Sequence, residues 1–366
     1  MRTVLSFDGG GVRGAISVAF LEAIEKHLGA NDEEPIANKI DLAGGTSTGA
    51  IIAGAIALGY SAKDIRSFYM ELAPKIFVRS LMRIPGIQSV FDASRLKQEI
   101  LEICGNRTLE SADLKTSFAL VMKRMDTGSP WIVSNNPNAP YWNDPEDGSY
   151  LGNRHYRLAD LIRASTAAPH YFQPEAIKIV EDEEAGLFVD GGVTPHNNPA
   201  LALLQLITIP AHGFAWPTGV KNLRIISIGT GSFRDRMDPK KASRTPAIGL
   251  AIKALAGLIT DSQTQTLALM QILGRPKFNW VINSEIGDLA EFNLHTDPLF
   301  EFARYDVRLV ADWLKEYLDM NISSKDLERV RQMDNPDMIE LAYDIGKVAA
   351  EKMVKAEHFE TSEVSR

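Results

Sequence analysis

Cysteine is nearly missing from this chain: Cys104 is the only one in 366 residues. A single thiol forms no intramolecular disulfide and no thiolate-rich metal site. Cys104 itself is expected to serve as a small buried hydrophobe. Long apolar runs are missing as well, and none approaches the roughly 20 residues of a membrane-spanning helix. Met1-Arg2-Thr3 runs straight into Val4–Phe7, without the basic segment and apolar core of a secretory signal. Positive charge is in deficit, with 39 Lys and Arg against 47 Asp and Glu, a net −8. That argues against a nucleic-acid binder, because phosphate contacts need concentrated basic surface. No G-x-x-x-x-G-K-[ST] segment occurs, which excludes a P-loop nucleotide hydrolase. The expectation is a cytoplasmic protein, with local contact at a membrane left open.

What is present suffices for a large core, since 45% of the residues are hydrophobic and 23% charged. Short apolar runs alternate with helical patterns, the signature of an α/β layer fold. Thr3–Phe7, Ile40–Ala43, Phe118–Met122, Trp131–Val133 and Leu223–Ile228 read as strands. Ala176–Val180 and Leu187–Val189 read as a hairpin around an acidic turn, 181–186. Ala15–Leu28, Ala50–Leu58 and Leu158–Ser165 read as helices, the second apolar on all sides and so expected in the domain interior. Asn135–Tyr150, rich in Asn, Pro, Asp and Gly, reads as a surface loop. Helices are expected over 247–272, 306–318, 324–332 and 337–356. The expected architecture is a three-layer α/β/α sandwich with a mainly parallel sheet. Residues 3–231 would form the core, 232–358 a helical part of the same domain, and 359–366 a disordered tail.

Three segments carry chemistry. Gly45-Thr46-Ser47-Thr48-Gly49 matches G-x-S-x-G between a strand and a helix. In that setting a sharp turn presents the Ser47 hydroxyl as a nucleophile, and the flanking glycines remove colliding side chains. The following helix N-terminus favours developing negative charge. Asp8-Gly9-Gly10-Gly11-Val12-Arg13-Gly14 lies between the first strand and helix. Its consecutive amides can converge on an anion, and with the Thr48 N–H they would form an oxyanion hole. Gly9, Gly11 and Gly14 also satisfy G-x-G-x-x-G, the dinucleotide fingerprint. That motif wants an acid at the end of the second strand, whereas Asp32, Glu33 and Glu34 fall in a polar loop. The third segment is Asp190-Gly191-Gly192, which places a carboxylate at a strand end; an ordinary Asp-Gly turn reads the same way.

The ordered set D-G-G-G-x-R-G, G-x-S-x-G and D-G-G resembles the patatin-like phospholipase family. Arg163-Ala164-Ser165-Thr166-Ala167-Ala168-Pro169 and Ser227-Ile228-Gly229-Thr230-Gly231 resemble further family segments, so the likeness spans about residues 3–231. It implies that Ser47 and Asp190 form a Ser-Asp dyad and that Gly9, Gly10 and Gly11 line the oxyanion hole. The implied substrates are phospholipids or other acyl-ester lipids, cleaved through an acyl-enzyme without metal or cofactor. A free carboxylate, of pKa ~3.9, is a weak base, but burial raises it. A Ser-His-Asp triad is the competing arrangement, with His196, His212 or His295 following Asp190. Arg13 either contacts a substrate phosphate, orients the glycine loop, or simply packs. Ala73–Phe91 carries Lys75, Arg79 and Arg83 on one helical side ahead of Pro85-Gly86, and reads equally as a membrane-facing lid or a packed helix. Leu250–Leu273 could wall an acyl pocket. A partner- or ligand-gated hydrolase and a lipase or thioesterase on other esters are the alternatives, and oligomeric state is open.

Overall fold

β1 (Arg2–Phe7) is buried from Thr3 onward on both faces, the pattern of a central parallel strand. It pairs in parallel with β2 (Leu42–Thr46) on one side and β7 (Leu223–Ile228) on the other. β3 (Ser117–Arg124) follows β2 in parallel, with β4 (Pro130–Ser134) antiparallel on its far edge. β5 (Glu175–Ile177) and β6 (Gly186–Asp190) form the expected hairpin, and β6 pairs antiparallel with β3. The order is β5-β6-β3-β2-β1-β7-β9-β8, where β8 spans Arg275–Phe278 and β9 Glu301–Tyr305. This computed structural model describes every residue except 32, 78–88, 181–184, 235, 236, 238, 239, 241–244, 293, 295 and 361–366, together with the side chain of Ile248.

Strand alternation sends side chains into two cores. Leu5, Phe7 and Ala43 pack with α1 (Gly14–His27), α2 (Thr48–Ala57), α3 (Ala62–Ile76), α4 (Ala93–Cys104) and α5 (Leu158–Ser165). Val4, Leu42 and Ala119 pack with α6 (Ala200–Thr208) and the C-terminal end of α7 (Ala247–Leu273). The result is the expected three-layer, mostly parallel architecture. α2 is buried at every position, as its all-round apolar sequence requires. Cys104 is a buried free thiol at the end of α4.

Several expectations shift. β2 begins later than Ile40 and runs through Gly44 and Gly45 to Thr46, because those glycines admit Leu203 and the turn of α2 against the strand. The C-terminal part is not wholly helical: β8 and β9 extend the sheet in parallel beyond β7. The helix expected from 306 starts at Ala311, as α8 (Ala311–Leu318), because Val307 and Leu309 still pair through their backbones with Ser232 beyond β7. α9 (Ser324–Val330) and α10 (Ile339–Met353) match the expected helices, and α10 packs on α1. Of the expected tail, the Phe359 and Glu360 carbonyls accept hydrogen bonds from Arg224, and 361–366 lie outside the described residues. The Ala73–Phe91 segment divides: Ala73–Ile76 close α3, Lys75 pairs with Glu99 at 3.0 Å, and Phe77 packs edge-on against Phe91. Arg79, Arg83 and Pro85-Gly86 lie outside the described residues, as does the acidic turn 181–184.

Candidate active site

The sheet register brings two distant segments together. Thr46 at the end of β2 lies opposite Val121 of β3, and Asp190 at the end of β6 lies opposite Met122. β4 occupies the other edge at both positions, so β2 and β6 meet end to end on one edge of β3. Ser47, the next residue after β2, therefore arrives beside Asp190. Its Oγ donates to Asp190 Oδ2 at 2.6 Å.

Ser47 is the N-cap of α2 at φ 56, ψ −127, a conformation rarely adopted by a residue with a side chain. The turn holds because Gly45 and Gly49 close on each other and on β1. A Cβ on Gly45 would stand 2.1 Å from the Gly49 carbonyl oxygen, and one on Gly49 2.3 Å from that of Phe7. The Ser47 N–H donates to Ser165 Oγ at 2.9 Å, and Ser165 in turn donates to the Val121 carbonyl at 2.6 Å. The strained turn is thus tied to β3 through α5.

Asp190 is buried, and burial lifts its carboxyl to about 6; the bonds from Ser47 and the Gly192 N–H, and the Arg163 charge, act in the opposite sense. Gly192 N donates to Oδ1 at 2.7 Å, which orients Oδ2 toward the serine. Arg163 is fully buried and donates to the Gln173 carbonyl at 2.8 Å. Gly191 must stay bare, since a Cβ there would lie 2.3 Å from the Val121 oxygen.

Among the described residues no histidine comes between the pair, and none hydrogen-bonds to Ser47 or Asp190. His196 offers only its carbonyl to Thr46 Oγ1, His212 offers its carbonyl to Asn136, and His295 lies outside the described residues. The dinucleotide alternative also loses its footing, because β2 ends at Thr46 and runs into Ser47 with no acidic residue of its own at that end.

The glycine loop lies directly against the serine: a Cβ on Gly9 would stand 3.1 Å from Ser47 Cβ. Gly9 N–H is committed to the Asn197 carbonyl at 3.0 Å, while Gly10 N–H donates to Thr48 Oγ1 at 3.3 Å. The Gly11 and Thr48 N–H groups have no acceptor among the described residues. Tyr69 donates to the Gly11 carbonyl at 2.5 Å, and Thr230 to that of Gly9 at 3.1 Å. Gly14 abuts the Tyr69 hydroxyl, where no Cβ would fit. Arg13 is buried and donates to the Gly231 carbonyl at 3.1 Å, with its guanidinium over the Phe233 ring. Burial lowers its pKa to about 10. Asp8 meets Arg304 in a two-pronged ion pair, 2.7 Å at its shorter contact.

Sequence reasoning missed Tyr69, Asn197 and Arg304, each of which carries no local motif. Ser165 lies inside the family-like segment Arg163–Pro169, but its bond to the Ser47 amide required the fold. No group of side chains among the described residues is arranged to hold a metal ion.

The chain is 30% identical over 230 residues to the cUMP-AMP-activated phospholipase of Escherichia coli, covering 63% of this chain and 65% of that one. It is 32% identical over 255 residues to patatin-like protein 4 of Arabidopsis thaliana, covering 63% and 59%. It therefore spans less than two thirds of the length of these curated relatives. VipD from Legionella pneumophila is a solved structure with 12% identity and a TM-score of 0.34, over 94% of this chain and 66% of that one. The Patatin-like phospholipase family model matches residues 5–204, more than half of the sequence, and the chain belongs to that family.

Proposed function

We propose that this protein is a serine acyl hydrolase that cleaves fatty-acyl esters of phospholipids or related lipids through a Ser47–Asp190 dyad. The observation that carries the reading is the direct 2.6 Å bond from the Ser47 hydroxyl to a buried carboxylate. At neutral pH a carboxyl raised to about 6 is mostly ionised, yet is a better base than an exposed aspartate. Asp190 takes the Ser47 proton as Oγ bonds to the ester carbonyl carbon. The carbonyl oxygen becomes the anion, met by the N–H groups of Gly11 and Thr48, with Gly10 close by and the dipole of α2 behind them. Collapse breaks the ester C–O bond, and Asp190 gives its proton to the departing alcohol. Water, deprotonated by the same carboxylate, then releases the fatty acid and restores Ser47. Arg13, turned into Gly231 and Phe233, fits the role of holding the loop better than that of meeting a phosphate.

A lipid substrate also fits α7. Leu250, Ile252, Leu255 and Leu258 are exposed on it, and Lys253 is the one charge between 247 and 260. On the same helix Gln263 donates to Asp8 at 3.3 Å, so the apolar arm leads directly to the glycine loop. We assign this arm to contact with a bilayer surface. No described helix is long and apolar enough to cross one. A gated enzyme is the second reading, favoured by the cUMP-AMP-activated relative. Constitutive hydrolysis by the purified chain, unchanged by a cyclic dinucleotide, would count against it.

The test is fluorophosphonate labelling of the purified protein with peptide mapping. The adduct is expected on Ser47, absent in Ser47→Ala, and formed at least 100-fold more slowly in Asp190→Asn. Labelling elsewhere, or full-rate labelling of Asp190→Asn, would sink the dyad.

A further inference from the structure

Gly9, Gly10 and Gly11 have no side chains by which a fold could hold them, so the loop is set by its backbone contacts and by the residues at its two ends. At one end Arg13 is fixed on Gly231 and Phe233. At the other stands Asp8, whose backbone N–H donates to Ile228 at 3.0 Å and whose carboxylate receives both arms of Arg304 at 3.0 and 2.7 Å. Arg304 belongs to β9, a hundred residues beyond the segment matched by the family model. It also donates to Ser227 Oγ at 2.8 Å and to Asp306 Oδ2 at 2.8 Å. Asp306 Oδ1 accepts the Gly231 N–H at 2.8 Å. One guanidinium therefore joins the ends of β1, β7 and β9, and through Asp306 it reaches Gly231, the residue on which Arg13 rests.

We propose that Arg304 is a positioning residue for the oxyanion loop, fixing Asp8 and neutralising its charge beside the nascent oxyanion. This rests on the reading of Ser47 and Asp190 as the dyad. A buried ion cluster is weak evidence for stability, since apolar replacements often serve as well. Its place, one residue before the loop, gives it another use. A misplacement of about 1 Å in such a site can cost ~10² in rate. An unneutralised carboxylate there would also oppose the developing anion, where low dielectric magnifies the effect.

The experiment compares wild type, Arg304→Gln, Arg304→Lys and the double variant Asp8→Asn/Arg304→Gln. Turnover of a water-soluble p-nitrophenyl ester is followed from pH 5.5 to 9, alongside thermal melting. In Arg304→Gln, kcat is expected to fall about 100-fold with KM within threefold, and to fall further as pH rises and Asp8 ionises with only the Gln263 amide, and no cation, beside it. Arg304→Lys should recover part of kcat. The double variant should fold even if the single one does not, and should lack the descending alkaline limb. Wild-type kcat and pH profile in a folded Arg304→Gln, or wild-type kcat in the double variant, would make Arg304 a structural ion-pair partner and overturn the inference. Fluorophosphonate mapping of wild type in the same series separates the two levels. A labelled Ser47 with an indifferent Arg304 defeats only the positioning role, whereas an unlabelled Ser47 defeats the dyad and this inference with it.

Discussion

Ser47 and Asp190 each hold a conformation or charge state that the fold opposes. A non-glycine residue at φ 56, ψ −127 costs about 1–3 kcal/mol. Ser47→Gly should therefore be more stable than Ser47→Ala by about 1 kcal/mol, although neither can turn over; equal denaturation midpoints would mean that the turn is unstrained. Asp190 holds its proton to about pH 6 in the folded chain, against an ordinary aspartate value of 3.8. The native state then binds more protons than the unfolded one between those values, so stability declines as pH rises through that window and levels off above it. Asp8, raised to about 6 by burial despite Arg304, adds to the same trend. Asp190→Asn should gain about 1–3 kcal/mol at pH 8 and little at pH 4, where the wild-type carboxyl is already neutral. The wild type should lose turnover below about pH 6 as its base protonates. A gain of equal size at both pH values would show that the carboxylate is not penalised by burial. Both residues could be located from sequence, because glycines flank them at fixed spacing. Ser165, Tyr69 and Asn197 could not, because each acts on a residue far away along the chain.

Among the elements, those with strong periodicity were legible and those with mixed content were not. α2 is nearly pure apolar, β1 and β7 are built around the apolar pairs Val4-Leu5 and Ile225-Ile226, and all three stand where their sequence puts them. β8 and β9 contain Arg275, Lys277, Glu301 and Arg304, charges that conceal a strand until the ion pairs Arg224–Glu301 and Arg304–Asp8 are seen to neutralise them. α7 is the reverse case: its sequence suits a wall of the acyl pocket, yet its first turns are exposed while Leu267 and Met270 near its end are buried. If those turns meet a bilayer, burying two leucines contributes about 1.5–3 kcal/mol each. Leu255→Gln/Leu258→Gln should thus bind anionic phosphatidylglycerol vesicles at least tenfold more weakly in sedimentation, with soluble-ester turnover within twofold of wild type. Unchanged vesicle binding would remove α7 from the membrane contact.

At the scale of the whole molecule, the motifs end near residue 231 but the structure that supports them does not. β9 pairs with β7 along its full length, from Arg224 opposite Glu301 to Ile228 opposite Tyr305. α10 covers α1 so closely that a Cβ on Gly346 would stand 2.8 Å from the Ile16 Cα. The Met333 carbonyl accepts the Val12 N–H at 2.8 Å and presses against Gly11, and Arg304 reaches Asp8. Sequence patterning anticipated a helical continuation of one domain; it could not show that this continuation completes the sheet, through pairs 77 positions apart, or clamps the glycine loop, through contacts some 300 positions apart. A chain ending at 231 would leave β7 as a bare apolar edge strand and strip the cover from Ile16 and Ala19 on α1. Such a fragment should aggregate or lack cooperative melting, and should take no fluorophosphonate at Ser47. If it instead melted cooperatively and labelled at the wild-type rate, residues 232–366 would be an accessory to a self-sufficient hydrolase, and the clamp on the glycine loop would be dispensable. The sheet argues for the first outcome: β7 is buried at all of its positions, and β9 is the strand that buries its outer edge.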